Sequence, residues 1–223
     1  MPSTTTSHRF FVMEGIDGSG KTTTGGLIAA HVRGRGHRLS RIGQHSWLDP
    51  QAARKIITVR ENEEHAYSPR EIADAYFTDR RLQAAAVGRL LRDRSVLSDR
   101  FVFSEAVYME ALYGTPARET LDRYHASGSL FPDLIIYVDV PVGVATDRVI
   151  TRGRGMRHYE NGYALGKVSR IYRDLLLDNP PPYLPPVQVF HNSEGAHHDH
   201  RFTELAGAIG RHLSPGGRLV STP

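Results

Sequence analysis

Gly15-Ile16-Asp17-Gly18-Ser19-Gly20-Lys21-Thr22 fits the pattern G-x-x-x-x-G-K-[ST] at every constrained position. Arg9 to Met13 before it reads as a short buried strand, and about Thr22 to Val32 after it reads as a helix. Strand, glycine-rich turn and helix start together make an anion site. The glycines let backbone N–H groups converge, and the helix N-terminus adds partial positive charge. Lys21 supplies a point charge for the β- and γ-phosphates, and Thr22 a hydroxyl for Mg²⁺. Gly15, Gly18, Ser19, Gly20, Lys21, Thr22 and Thr23 are therefore the candidate contacts to a nucleoside triphosphate bound with Mg²⁺.

Outward from this loop, strands and helices alternate. Strands are expected at Arg38–Ile42, Ser95–Ser98, Leu134–Val140 and Val187–Phe190, the third being nearly continuous in apolar residues. Ser68-Pro69-Arg70-Glu71 is a strong helix start, with Ser at the cap and Glu three residues on. Ile72, Ala75, Tyr76, Leu82, Ala86 and Leu90 then recur at helical spacing. Helices are also expected near 50–60, 101–112, 117–127, after Pro141, at 162–178 and around 200–213. The pattern predicts an α/β fold, a five-stranded parallel sheet with helices on both faces. One domain over residues 1–223 is expected, since domains run ~100–200 residues. The ends, 1–7 and 214–223, read as disordered, and the glycine- and arginine-rich 152–161 as a flexible lid.

Composition narrows the chemistry. The chain has no cysteine, which excludes thiol catalysis, disulfides and cysteine-held metals. Its apolar runs are too short for a membrane helix, so no membrane partner and a cytoplasmic protein are expected. The net charge of +4 comes mostly from arginine. Those arginines are scattered over helices and the lid, with no basic stripe or aromatic ladder, so a stable nucleic-acid partner is not expected. His191, His197, His198 and His200 have irregular spacing and read as a solvated loop rather than a metal site. Trp47 is either a core anchor or a pocket wall.

A guanine-reading N-K-x-D is absent, which leaves a small kinase. FFVMEGIDGSGKTT at 10–23, Ser98-Asp99-Arg100-Phe101 with Ser104 and Tyr108, Pro132-Asp133-Leu134 to Asp139-Val140-Pro141, and Arg157-His158-Tyr159-Glu160-Asn161-Gly162 resemble the thymidylate kinase family of nucleoside monophosphate kinases. The resemblance spans about residues 9–195, in order, and implies that family's fold, with a short lid. It also implies ATP and Mg²⁺, a small nucleotide substrate and a homodimer.

Site roles follow from the resemblance position by position. Asp17 meets the acceptor sugar or arranges the phosphates, and Asp99 joins Thr22 at Mg²⁺. Arg100 bridges the transferring phosphoryl group together with Lys21 and a lid arginine, Arg154 or Arg157. Tyr76 stacks on the acceptor base and Arg80, one turn later, hydrogen-bonds it. Ser104 and Tyr108 line the same pocket, Tyr159 and Glu160 close over it, and Asn192, Ser193 and Glu194 edge the adenine.

The chain departs from the family in the loop after the second strand. Where the family carries an arginine for the acceptor phosphate, this chain reads Ile42-Gly43-Gln44-His45-Ser46-Trp47. His45 stands near the expected place, and Arg54 on the next helix is the substitute cation. The expected reaction is γ-phosphoryl transfer from ATP to a pyrimidine deoxynucleoside monophosphate, dTMP first. The alternatives are a modified pyrimidine nucleotide or a nucleoside as acceptor, or a catalytically weak nucleotide-binding protein.

Overall fold

Strands β1 (Phe10–Glu14), β2 (Leu39–Ile42), β3 (Ser95–Asp99), β4 (Leu134–Asp139) and β5 (Val187–His191) form one sheet in the order β2-β3-β1-β4-β5. Every pairing is parallel. The structure, a computed structural model, describes residues 8–61, 66–153, 157–193 and 200–213. The expected disordered ends, and residues 154–156 within the expected lid, lie outside the described residues.

β1 is the middle strand, and its side chains alternate between two cores. Phe10 and Val12 belong to one, Phe11 and Met13 to the other. Helices α1 (Lys21–Gly34) and α8 (His200–Leu213) cover the second core through Ile28, Val32, Leu205 and Ile209. The first core is covered by α3 (Pro69–Leu90), α4 (Val102–Tyr113), α5 (Ala117–Ala126) and α7 (Gly162–Arg173). Burial on both faces explains why β4 reads as a nearly continuous apolar run.

Local signals set the helix starts. Ser68 and Glu71 form the full capping box of α3. Asp49 caps α2 (Pro50–Arg60), accepting from the Ala52 N–H at 2.7 Å, and Asn161 caps α7. Helix α6 (Val142–Thr151) begins after Pro141. The expected helix at 162–178 changes character part-way: Asp174–Asp178 widens into a π turn, with the Asn179 N–H reaching the Asp174 carbonyl at 2.8 Å.

After β1 the chain turns back toward β2, whereas after β3 it crosses over to β4. The crevice between the ends of β1 and β3 is thus the place where a parallel sheet binds ligands. The Gly15–Thr22 loop follows β1, and Arg100 follows β3.

Candidate active site

The loop at 15–22 is pressed against the ends of β4 and α6. Gly15 has φ +140°, and a Cβ there would lie 2.5 Å from the Val138 carbonyl oxygen. Gly18 has φ +82°, and its Cβ would lie 2.2 Å from the Ala145 carbonyl oxygen. Both positions require glycine. Lys21 folds back over the loop, donating to the Gly15 and Ile16 carbonyls at 2.9 and 2.7 Å and to Ser19 Oγ at 3.2 Å. Burial, then the Arg100 cation, push the Lys21 ammonium down to about 7. The Thr22 hydroxyl donates to Asp99 Oδ2 at 2.8 Å.

Asn192 Nδ2 donates to the Ser19 carbonyl at 2.7 Å, which ties the turn after β5 to the loop. Arg148 of α6 donates to the carbonyls of Asn192 and Ser193 at 3.0 and 3.3 Å. Gly15, Gly18, Ser19, Gly20, Lys21, Thr22, Asn192 and Ser193 therefore lie together. Thr23 is exposed one residue further along the helix. Glu194 and Arg154 lie outside the described residues.

Arg100 takes φ +74°, a left-handed conformation that costs an arginine about 1–3 kcal/mol. Buried Glu14 holds the turn in place by accepting from the Phe101 N–H at 2.8 Å, from Tyr172 OH at 2.9 Å and from the Ser104 hydroxyl. The guanidinium of Arg100 reaches Asp17 Oδ1 at 3.0 Å, Ser104 Oγ at 3.0 Å and Tyr172 OH at 3.1 Å. Tyr108 OH donates to the other Asp17 oxygen at 2.6 Å. Burial works to raise Asp17, but Arg100, Lys21 and Tyr108 outweigh it and hold the carboxyl well below the usual range. Glu14 goes the other way: burial raises it despite its hydrogen bonds.

Two cavities meet at this cluster. One has walls of Tyr76, Tyr108, Tyr159, Val59 and Leu112, suited to a flat ring. The other runs along the loop past Lys21, Thr22 and Asp99 to Arg152 and Trp47. Asp17, Gln44, His45, Arg60, Arg100 and Arg157 line both. The second cavity is polar and the first is aromatic. A nucleotide base in one and a triphosphate in the other would bring their phosphates together at Arg100.

Three expected site residues stand elsewhere. Arg80 does not line the aromatic cavity. It is fully buried beneath it, paired with Glu105, bonded to the Gln83 side chain and the Gln44 carbonyl, and stacked 4.3 Å from the Phe101 ring centroid. The Glu105 carboxylate holds the guanidinium under the floor and itself lines the cavity. Arg54 is exposed and lines neither cavity, because α2 turns Ala52, Ile56 and Val59 inward instead. Glu160 lines neither cavity; it is buried behind the turn at 157–160, accepting from the Arg157 N–H at 2.9 Å, while its neighbour Tyr159 does form the wall. Ser104 lines the cavity, with its hydroxyl bonded to Glu14 and Tyr172.

His45 is held by a residue that the sequence pattern did not single out. Asp79 of α3 lies 3.1 Å from His45 Nδ1 and accepts from the backbone N–H groups of Ser46 and Trp47, each at 3.0 Å. Burial lowers the His45 pKa, so the ring is neutral near pH 7. Its Nε2 is buried with no hydrogen-bond partner among the described residues. Arg60, Arg148, Glu14 and Glu105 were also not singled out. Only Glu14 carried a local signal, a carboxylate at the end of a strand buried on both faces.

No cluster of three or more His, Asp or Glu fit for a metal exists among the described residues. The Thr22 hydroxyl and Asp99 carboxylate still suit Mg²⁺, which takes one or two protein oxygens and completes its shell with phosphates and water. No helix of the described residues is long and apolar enough to cross a membrane.

A family model described as thymidylate kinase matches residues 13–180. A probable thymidylate kinase of Methanospirillum hungatei is 32% identical over 178 residues, 77% of this chain and 82% of that one. One from Archaeoglobus fulgidus is 31% identical over 162 residues, covering 72% and 78%. Among solved structures, a thymidylate kinase from Candida albicans superposes with a TM-score of 0.69 at 15% identity, over 93% of this chain and 91% of that one. At that identity the likeness speaks for the fold.

Proposed function

Because the chain belongs to the thymidylate kinase family, we infer that it transfers the γ-phosphoryl group of ATP to dTMP, giving ADP and dTDP. The observation that carries this is the meeting of the two cavities at Asp17 and Arg100. The expected modified acceptor gains no support from the relatives, which are named thymidylate kinases. A nucleoside without phosphate is also a poor match to a junction lined by Arg60, Arg100 and Arg157.

The transfer breaks the bond between the γ-phosphorus of ATP and its bridging oxygen. It forms one to a phosphate oxygen of dTMP. That oxygen is already anionic, so no general base is required. Arg100 is positioned to meet charge on the transferring group, its orientation set in advance by Asp17, Ser104 and Tyr172. Lys21 would leave the loop carbonyls for the β- and γ-phosphates. Thr22 and Asp99 would hold Mg²⁺, which when bound neutralises the phosphate oxygens. Tyr76, Tyr108 and Tyr159 give the base three aromatic surfaces. Arg157 lines the same junction and brings a further cation to the phosphates there.

The family resemblance also supports a cytoplasmic homodimer. Leu48 and Ile57 on the α2 side are exposed apolar residues of the kind that an interface covers.

An ADP-release assay with Mg·ATP tests the reaction against dTMP, dUMP, dCMP and thymidine. Preference for dTMP is expected. Turnover of thymidine above dTMP would refute the acceptor assignment.

A further inference from the structure

The family's acceptor-phosphate arginine is missing from the loop at 43–47, and neither expected substitute brings a fixed positive charge to the cavities. Arg54 is exposed outside both cavities. His45 is buried, with Nδ1 committed to Asp79 at 3.1 Å. A neutral imidazole offers no fixed charge to a phosphate.

Arg60 meets the requirement. It closes the last turn of α2 and lines both cavities, at the strip where base pocket and phosphate cleft join. The other two arginines on that strip already have acidic partners. Arg100 pairs with Asp17 at 3.0 Å, and Arg157 lies 3.8 Å from Glu160. Among the described residues no carboxylate pairs with Arg60. Its guanidinium instead stands 5.9 Å from the Trp47 ring centroid, and Trp47 lines the phosphate cleft beside it. The backbone of Trp47 is in turn fixed by its hydrogen bond to Asp79 and takes φ +56°. A platform of this kind orients a cation while leaving its N–H fork available.

We propose that Arg60 is the cation that grips the 5′-phosphate of the acceptor nucleotide in this chain, a job moved from the loop after β2 to the end of α2. Trp47 is its positioning residue. The assignment rests on the reading of dTMP as acceptor. The other role open to an arginine in a last helical turn is to offset the helix dipole.

Calorimetric titration of the full chain with dTMP and with thymidine separates the two. Thymidine keeps the base and sugar and lacks only the phosphate. In Arg60→Gln, dTMP affinity should fall by about 10- to 100-fold, while thymidine affinity and the KM for ATP stay within about twofold of wild type. Arg60→Lys should recover part of the dTMP affinity, since it keeps the charge and loses the fork. Equal weakening of dTMP and thymidine in Arg60→Gln would assign Arg60 to packing and overturn the proposal. Unchanged dTMP affinity would overturn it too, as would loss of the dTMP-over-thymidine preference in His45→Asn alone. If the wild-type chain itself neither prefers dTMP to thymidine nor turns it over, the acceptor reading falls and this proposal with it. That outcome is visible before any variant is made.

Discussion

Lys21 is a residue whose protonation a bound nucleotide should change. It donates to two carbonyls and a hydroxyl of its own loop, and burial with Arg100 nearby brings it down to about 7. Phosphate oxygens favour the charged form and raise the pKa again. ATP binding at about pH 8 should therefore take up a proton. Calorimetry in two buffers of different ionisation enthalpy reads this directly. Buffer-independent heats would show that Lys21 is already fully charged before ATP binds. At this scale the sequence was informative wherever backbone geometry itself demands the residue. Gly15 and Gly18 could be read because no side chain fits beside the Val138 and Ala145 carbonyls. Arg60 and Arg148 could not, because an arginine on a helix carries no sign of the distant loop that it meets.

At the scale of elements, α3 does more than carry Tyr76. Its Asp79 fastens the turn after β2, taking hydrogen bonds from Ser46 and Trp47 with His45 alongside. Burial works to raise Asp79, but these hydrogen bonds prevail and bring it down to about 2. A carboxylate with a lowered folded pKa contributes stability above its unfolded value, near 4, and loses it as pH falls toward the folded one. Asp79→Asn should destabilise the chain by about 1–3 kcal/mol at neutral pH. The gap to wild type should narrow as pH drops from about 4 to about 2. Urea unfolding across that range checks it, and a constant gap would mean that the charge of Asp79 holds nothing. The capping box and the helical spacing made α3 legible in advance. Its hold on the β2 loop was not, because the pairing spans more than thirty residues. Arg80 illustrates the same limit. Its spacing from Tyr76 puts both residues on one face of α3, yet Glu105 from α4 keeps its guanidinium beneath the pocket floor.

For the molecule as a whole, alternating strands and helices foretold the parallel sheet, and the sheet order puts the loop after β1 beside the turn after β3. The aromatic cavity and the phosphate cleft then share a wall at Asp17 and Arg100. Under the proposed function, that shared wall is where one nucleotide would hand the phosphoryl group to another rather than to water. The most direct measurement follows the γ-phosphoryl group itself. With ATP labelled at the γ-position and dTMP present, the label should appear in dTDP and depend on Mg²⁺. With dTMP left out, it should stay in ATP. Label recovered chiefly as inorganic phosphate, or never leaving ATP when dTMP is supplied, would contradict a nucleotide kinase working across that junction.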